Sequence, residues 1–129
     1  MPGAEANQWL TKAAADLDAA RFLRSNPNLP QEIAAFHYQQ ASEKAIKGLL
    51  IEQGIAPPKS HDLRNLLGLL SDKSDLDQDV ADELTPFAVL ARYPGFGAQP
   101  DEALLDRFDA FVTACLERLS QTITPTSAG

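Results

Sequence analysis

Apolar residues recur along the chain at helical spacing, and no segment alternates with the period of two that is typical of strands. The sequence therefore predicts an all-α fold with five helices. They run from about Asn7 to Arg24, from Pro30 to near Gly54, from after Ser60 through Leu70, from Asp72 to Tyr93 with a kink at Pro86, and from Pro100 to Gln121. Four longer helices should form an up-and-down bundle, with the short third helix as an addition.

The second predicted helix carries a polar seam on an otherwise apolar surface. Counted at 100° per residue, the side chains within about 80° of His37 form this seam. They are Gln40, Ala41, Lys44, Lys47 and Gly48. A helix that is apolar on most sides is expected at the centre of a bundle. A histidine and two lysines there are costly unless an anion or an acidic side chain meets them, so the seam marks a candidate site.

Length and charge limit the classes of function. A chain of 129 residues fits one domain, spanning 1–129 with a core at about 7–121 and a loose tail at 122–129. The net charge of −7 argues against nonspecific DNA binding, which needs a positive field. That charge is uneven. Residues 37–64 contain four Lys or Arg and three acids, a net +1 in the region of the seam.

Few chemistries fit the remaining residues. The single Cys115 excludes an internal disulfide, and two histidines without a cysteine cluster argue against a zinc site, so we expect neither a metal nor a cofactor. The N-terminus lacks a basic and apolar leader, and no window approaches about 18 apolar residues, so we expect a cytoplasmic protein that does not enter a membrane. No catalytic residues are assigned, since the chain has neither a glycine-rich phosphate loop nor a Ser-x-x-Lys motif.

The candidate ligand contacts form two groups, of which the first lies in the seam. There, His37, Gln40, Lys44 and Lys47 can hold a phosphate or a base. The alternatives are a histidine hydrogen-bonded inside the bundle and a Lys44 that pairs with Gln40 or with an acid of another helix. For Lys47 the alternative is an intrahelical pair with Glu43 at i, i+4.

The second group lies at the start of predicted helix three and the end of helix four. Lys59, Ser60 and His61 lie where free backbone amides favour an anion, although Ser60 can instead be an N-cap beside a solvated Lys59. Arg92 can close the site by pairing with a phosphate, or it can stabilise the end of helix four. Tyr93 can stack on a base, or it can pack where Tyr-Pro ends that helix.

Three segments carry recognisable motifs, in this order along the chain: FHYQQASEKAIK at 36–47, PKSHDL at 58–63 and ARYPG at 91–95. Together they resemble the second-helix signature, the loop-to-helix motif and the third motif of the HEPN family (higher eukaryotes and prokaryotes nucleotide-binding domain). The usual threonine of the loop-to-helix motif is replaced by Ser60. The resemblance covers about residues 7–121.

The resemblance implies a helical bundle, commonly a homodimer, with a role near nucleotides or RNA. Prokaryotic members are often paired with a small nucleotidyltransferase in toxin–antitoxin-like arrangements. Many members are metal-independent ribonucleases whose motif is an Arg, four to six residues, and then a His. That motif is missing here, because residues 30–32 (PQE) precede His37 at the required distance and residues 54–56 (GIA) precede His61.

These observations leave three hypotheses. The leading one is a dimeric binding module for a nucleotide, an RNA end or a nucleotidyltransferase partner. The second is a ribonuclease with a non-standard arrangement of His37 and His61. The third is a purely structural dimer whose polar seam is satisfied by its own acids. Any anion site should lie between helix two and the start of helix three, with Arg92 nearby.

Overall fold

The computed structural model describes residues 3–72, 75–90 and 99–123, and these residues form six helical segments and no strand. The segments are α1 (Ala4–Arg24), α2 (Gln31–Glu52), α3 (Leu63–Gly68), α4 (Gln78–Leu84), α5 (Phe87–Leu90) and α6 (Glu102–Ile123). The prediction of an all-α fold is confirmed. None of these helices combines the length and the apolar character that crossing a membrane requires. Helix α6 continues two residues beyond its predicted end, into the predicted tail.

Helix α2 lies at the centre of the bundle, as its apolar circumference predicts. It packs mainly against α1 and α6 and also touches α3, α4 and α5. Thirteen of its 22 residues are buried, which explains why so few polar side chains of α2 reach the surface. Short side chains let α1 and α2 approach closely, and the buried alanines of this pair are Ala6, Ala13, Ala20, Ala34, Ala35, Ala41 and Ala45.

Gly48 of α2 lies where three helices meet. A Cβ atom at this position would be 2.7 Å from Cδ2 of Leu119 on α6 and 3.1 Å from Cβ of Trp9 on α1. Both distances are shorter than ordinary van der Waals contact. A glycine inside a helix costs about 1 kcal/mol relative to alanine, and here the close packing of α1 and α6 offsets that cost.

Proline and glycine explain several of the helix ends. Pro30 directly precedes α2, and Gly54 adopts a φ of 76° just after the helix ends, a conformation that glycine adopts without strain. The predicted fourth helix is divided, because α4 ends at Leu84 and α5 begins at Phe87. Pro86 lies in the gap and lacks an amide hydrogen, so the predicted kink is a break.

The N-cap of α3 is Asp62, and the alternative assignment of Ser60 to this role is wrong. Oδ1 of Asp62 accepts a hydrogen bond from the backbone amide of Asn65 at 3.3 Å. The hydroxyl of Ser60 instead accepts from the backbone amide of Asp62 at 3.1 Å. Ser60 therefore stabilises the turn that leads into the cap, and α3 begins at Leu63.

A polar network joins α1, α2 and α6. Tyr38 donates to Oδ2 of Asp109 at 2.7 Å, and Arg21 forms a bidentate ion pair with the same carboxylate, both N–O distances being 2.9 Å. Arg24 donates to the Tyr38 hydroxyl at 3.5 Å and to Asp106 at 2.7 Å. Burial raises the pKa of Tyr38 to about 12, and the hydrogen bond from Arg21 lowers the pKa of Asp109. The pair is therefore a neutral phenol and an ionised carboxylate.

Candidate functional site

A carboxylate of α1 meets two side chains of the predicted seam. Oδ1 of Asp16 lies 2.9 Å from Nδ1 of His37, and Oδ2 accepts a hydrogen bond from Nζ of Lys44 at 2.5 Å. The ring of Phe36 packs edge-on against the imidazole of His37, with centroids 5.3 Å apart. The side chain of Asp16 is 14% exposed, whereas His37 and Lys44 keep 28% and 27% exposure. The acid is thus more buried than the two bases, which still reach solvent.

A second carboxylate belongs to α2 itself. Oε2 of Glu43 accepts from Nζ of Lys47 at 2.9 Å, and Oε1 lies 2.8 Å from Nδ1 of His61. The amide of Gln39 also donates to Oε1, at 3.2 Å. Burial opposes the ionisation of Glu43, but the hydrogen bonds from His61, Lys47 and Gln39 outweigh it and lower the pKa of this carboxyl. Glu43 is 8% exposed and His61 is 62% exposed, so the cluster presents its imidazole to solvent.

Two glutamines extend this second cluster along α2. Nε2 of Gln40 donates to Oε1 of Gln39 at 2.7 Å. Nε2 of Gln39 donates to the backbone carbonyl of His61 at 3.0 Å as well as to Glu43. Because Gln39 is fully buried, these contacts satisfy amide groups that water cannot reach.

The two clusters lie side by side around α2. At 100° per residue, positions 37, 44, 40, 47, 43 and 39 follow one another over about 160° of its circumference. We call this surface the polar arc, and it consists of Asp16, His37, Gln39, Gln40, Glu43, Lys44, Lys47 and His61. The arc contains five of the nine predicted ligand contacts, namely His37, Gln40, Lys44, Lys47 and His61. The two small residues of the predicted seam, Ala41 and Gly48, are buried instead.

Side chains occupy two backbone amides at the start of α3, where the sequence predicted open amides for an anion site. The amide of Leu63 donates to Oγ1 of Thr85 at 3.0 Å, and Asp62 occupies the amide of Asn65. Lys59 is exposed and forms no ion pair with any of the described residues. Side chains of the protein therefore take two of the donors that the predicted convergence of helix amides with Lys59 and Ser60 would use, and an anion site here stays a prediction.

Arg92 and Tyr93, the remaining predicted contacts, lie outside the described residues.

Sequence reasoning missed Asp16 and Gln39 as parts of the site and treated Glu43 only as a partner of Lys47. A signal for Asp16 does exist. It lies three residues after Ala13 and four before Ala20, within the apolar stripe of α1. An acid in a stripe that packs against a lysine-bearing helix indicates a buried ion pair. Gln39 carries no comparable signal, since its role depends on where the backbone of His61 lies.

Charge balance sets what the polar arc can do. With neutral imidazoles, Asp16 balances Lys44 and Glu43 balances Lys47. An ionised carboxylate only accepts hydrogen bonds, so each one favours a proton on the Nδ1 atom beside it and leaves Nε2 of the imidazole for another partner. No three His, Cys, Asp or Glu side chains in the described part of the chain are grouped as a metal site would need. The arc offers two oriented imidazoles and a partly exposed lysine.

The chain shares its sequence pattern and its fold with known proteins. A sequence model of the HEPN domain matches residues 6–118. The chain belongs to the HEPN domain family. The fold of this HEPN domain is similar to that of TT1696 from Thermus thermophilus, with a TM-score of 0.71, 23% identity, and coverage of 95% of this chain and 99% of that one. It is also similar to ST0689, an archaeal HEPN homologue, with a TM-score of 0.66, 28% identity, and coverage of 92% and 97%. A comparison with curated proteins gave no match.

Proposed function

We propose that this HEPN domain is a nucleotide- or RNA-associated binding protein whose ligand surface is the polar arc. The observation that carries the proposal is the solvent access of His37, Lys44 and His61 beside a largely buried helix. Carboxylates hold all three, and these pairings offset the cost of burying the acids while the bases keep access to solvent.

The polar arc can accept a phosphate group by an exchange of partners. Lys44 donates to Asp16, and a phosphate oxygen can replace that carboxylate as its acceptor. A protonated His37 or His61 can donate through Nε2 while Nδ1 stays bonded to its carboxylate. Such charge-assisted hydrogen bonds are roughly twice as strong as neutral ones.

Calorimetry with adenosine monophosphate (AMP) and with a short single-stranded RNA tests this proposal. We expect Lys44→Ala to weaken binding by roughly tenfold, the effect of one lost charged contact. Lys12→Ala is the matched control, since it removes the same charge from an exposed position on α1 outside the arc. No heat with either ligand, or equal losses in the two variants, would contradict a ligand surface at the arc.

We also propose that the protein is a homodimer, as family membership suggests. Helix α2 is covered by the other helices of the chain, so its apolar circumference gives no reason for a dimer. Phe22 of α1, which is 74% exposed, is a large apolar side chain that a second copy of the chain could cover. Light scattering at about tens of micromolar should give twice the chain mass of 14.0 kDa, and a monomer mass would contradict the dimer.

A small nucleotidyltransferase in a toxin–antitoxin-like pair is the partner that the family implies, and we include it in the proposal. Co-purification with a nucleotidyltransferase encoded beside this chain is the direct test. Variants of the polar arc and of Phe22 would then show which surface the partner uses. Separation of the two proteins at every concentration tested would remove this part of the proposal.

A metal-independent ribonuclease is the second candidate, and the two carboxylate-held imidazoles favour it. An imidazole oriented in this way can exchange protons through Nε2. The family's Arg-to-His spacing is missing, so Lys44 would have to hold the scissile phosphate. We expect little or no cleavage of labelled RNA in the presence of a chelator. Robust cleavage that disappears in His37→Ala or His61→Ala would establish the enzyme instead.

A further inference from the structure

The side chains around Glu43, namely Gln39, Lys47 and His61, form what we call the Glu43 cluster. In this cluster the buried carboxylate of Glu43 lies behind the exposed imidazole of His61. His61 lies in the connection between α2 and α3 and is 62% exposed, whereas Glu43 is 8% exposed. Water alone can hydrate an exposed imidazole, so the ring gains little stability from this contact. Burying the carboxylate is costly and needs three donors to balance it. The effect of the arrangement is to fix the direction of the ring.

Gln39 fixes the same residue from the backbone side. Its amide donates to the carbonyl of His61 at 3.0 Å and to Oε1 of Glu43 at 3.2 Å. One contact therefore sets the position of the main chain, and the Glu43 contact sets the orientation of the ring. Both come from residues one turn apart on α2, the most buried helix of the bundle. Lys47 completes the cluster by balancing the charge of Glu43.

We propose that Glu43 and Gln39 are positioning residues for His61, and that His61 meets the ligand through Nε2. The identity of the ligand, a phosphate ester of a nucleotide, rests on the proposed function. Nδ1 keeps its proton against Glu43, so a neutral ring accepts a hydrogen bond at Nε2 and a protonated ring donates one to a phosphate oxygen. Lys59 and Asp62 flank the ring in sequence and are the nearest other charges along that connection.

Nitrogen-15 NMR of the imidazole in the ligand-free protein tests the positioning. A histidine side chain free in water prefers its proton on Nε2, so a proton on Nδ1 of His61 reports the contact with Glu43. We expect the Nδ1–H form at a pH where the ring is neutral. It should revert mainly to Nε2–H in Glu43→Met/Lys47→Met, which removes the acceptor without leaving a buried charge unpaired. The same His61 signal in both proteins would overturn the positioning role.

The matched control changes the other cluster. In Asp16→Leu/Lys44→Met the imidazole of His37 should lose its Nδ1–H form while His61 keeps it. Circular dichroism confirms that each double variant is folded. A change at His61 in the control as large as in the Glu43 variant would show general loosening of the bundle and would overturn the specific role of Glu43.

Titration with AMP, and with adenosine as the ligand without a phosphate, tests the ligand contact. AMP should shift the Nε2 signal of His61 and adenosine should not, and His61→Ala should bind AMP roughly tenfold or more weakly. AMP binding that leaves Nε2 unchanged would overturn the contact but not the proposed function. If neither AMP nor a short RNA binds, the proposed function fails, while an Nδ1–H ring still supports the positioning role.

Discussion

Lys44 of α2 and Asp16 of α1 form an ion pair in which Nζ and Oδ2 are 2.5 Å apart. The side chain of Asp16 is only 14% exposed, so the carboxylate holds Lys44 from the interior of the bundle. An anionic ligand must therefore compete with Asp16 for this lysine. The strength of that competition can be measured.

Replacing Asp16 with asparagine should strengthen AMP binding. The change releases Lys44, and a partly exposed ion pair is worth up to about 1 kcal/mol, which corresponds to about fivefold in affinity. Calorimetry on wild type and Asp16→Asn measures the gain. Asp18→Asn makes the same change in net charge at an exposed position of α1, and it should have a smaller effect. Equal gains in the two variants would show that only the overall charge matters.

Removing the hydroxyl of Tyr38 should destabilise the fold. In Tyr38→Phe the carboxylate of Asp109 loses a 2.7 Å hydrogen bond at a fully buried side chain. Hydrogen bonds to charged groups contribute about 1.5–3 kcal/mol, so the free energy of unfolding in urea should fall by about that amount. Thr113→Val removes a longer contact to the same carboxylate, at 3.4 Å, and should cost less. A loss below about 0.5 kcal/mol in Tyr38→Phe would contradict this account.

Acid should destabilise the protein through Asp109 and Glu43. The pKa of each carboxyl is lower in the folded state than its ordinary value, 3.8 for Asp109 and 4.5 for Glu43. The stabilisation is therefore complete above these values and is lost as the pH falls through the folded-state pKa. The difference in unfolding free energy between wild type and Asp109→Asn should narrow below pH 3.8. A difference that stays constant into strong acid would count against the Arg21–Asp109 pair as its source.

Two glycine-to-alanine changes should have opposite effects. At Gly48 the new methyl group would meet Leu119 and Trp9, and overpacking of this kind costs about 1–3 kcal/mol, more than the helix propensity gained. At Gly68, the last residue of α3, no atom of the described residues lies within 4 Å of the new Cβ, so stability should be unchanged or slightly higher. Urea unfolding of both variants measures these changes in stability. Gly48→Ala/Leu119→Val should recover part of the loss, and equal stability of the two single variants would contradict the close packing.

The sequence could predict those contacts of the site that form within a single helix. Glu43 and Lys47 are four residues apart, so helical geometry alone predicts their ion pair, which has an N–O distance of 2.9 Å. Asp16 and Lys44 are 28 residues apart and meet only because α1 has a particular rotation against α2. That rotation depends on the buried alanines of both helices, which a helical pattern locates without fixing their contacts.

The start of α3 also depends on a contact between helices that the sequence of one helix does not predict. Ser60 and Asp62 are both good N-cap residues, and local sequence does not choose between them. Thr85, at the end of α4, accepts a hydrogen bond from the amide of Leu63 and helps to set where α3 begins. The α-helical class and the central helix followed from periodicity, whereas this cap depends on a contact across the bundle.

The internal pairing of its lysines also affects how fast this domain can meet a ligand. The polar arc has no surplus positive charge while its imidazoles are neutral, and the chain carries a net −7. Nucleic acids would therefore approach without electrostatic attraction, at about 10⁵–10⁶ M⁻¹ s⁻¹ or more slowly. Added salt should speed their association, because it screens repulsion beyond a Debye length of about 10 Å at 0.1 M. A basic partner chain bound close to the arc would reverse this dependence, so such a partner would control the rate of encounter.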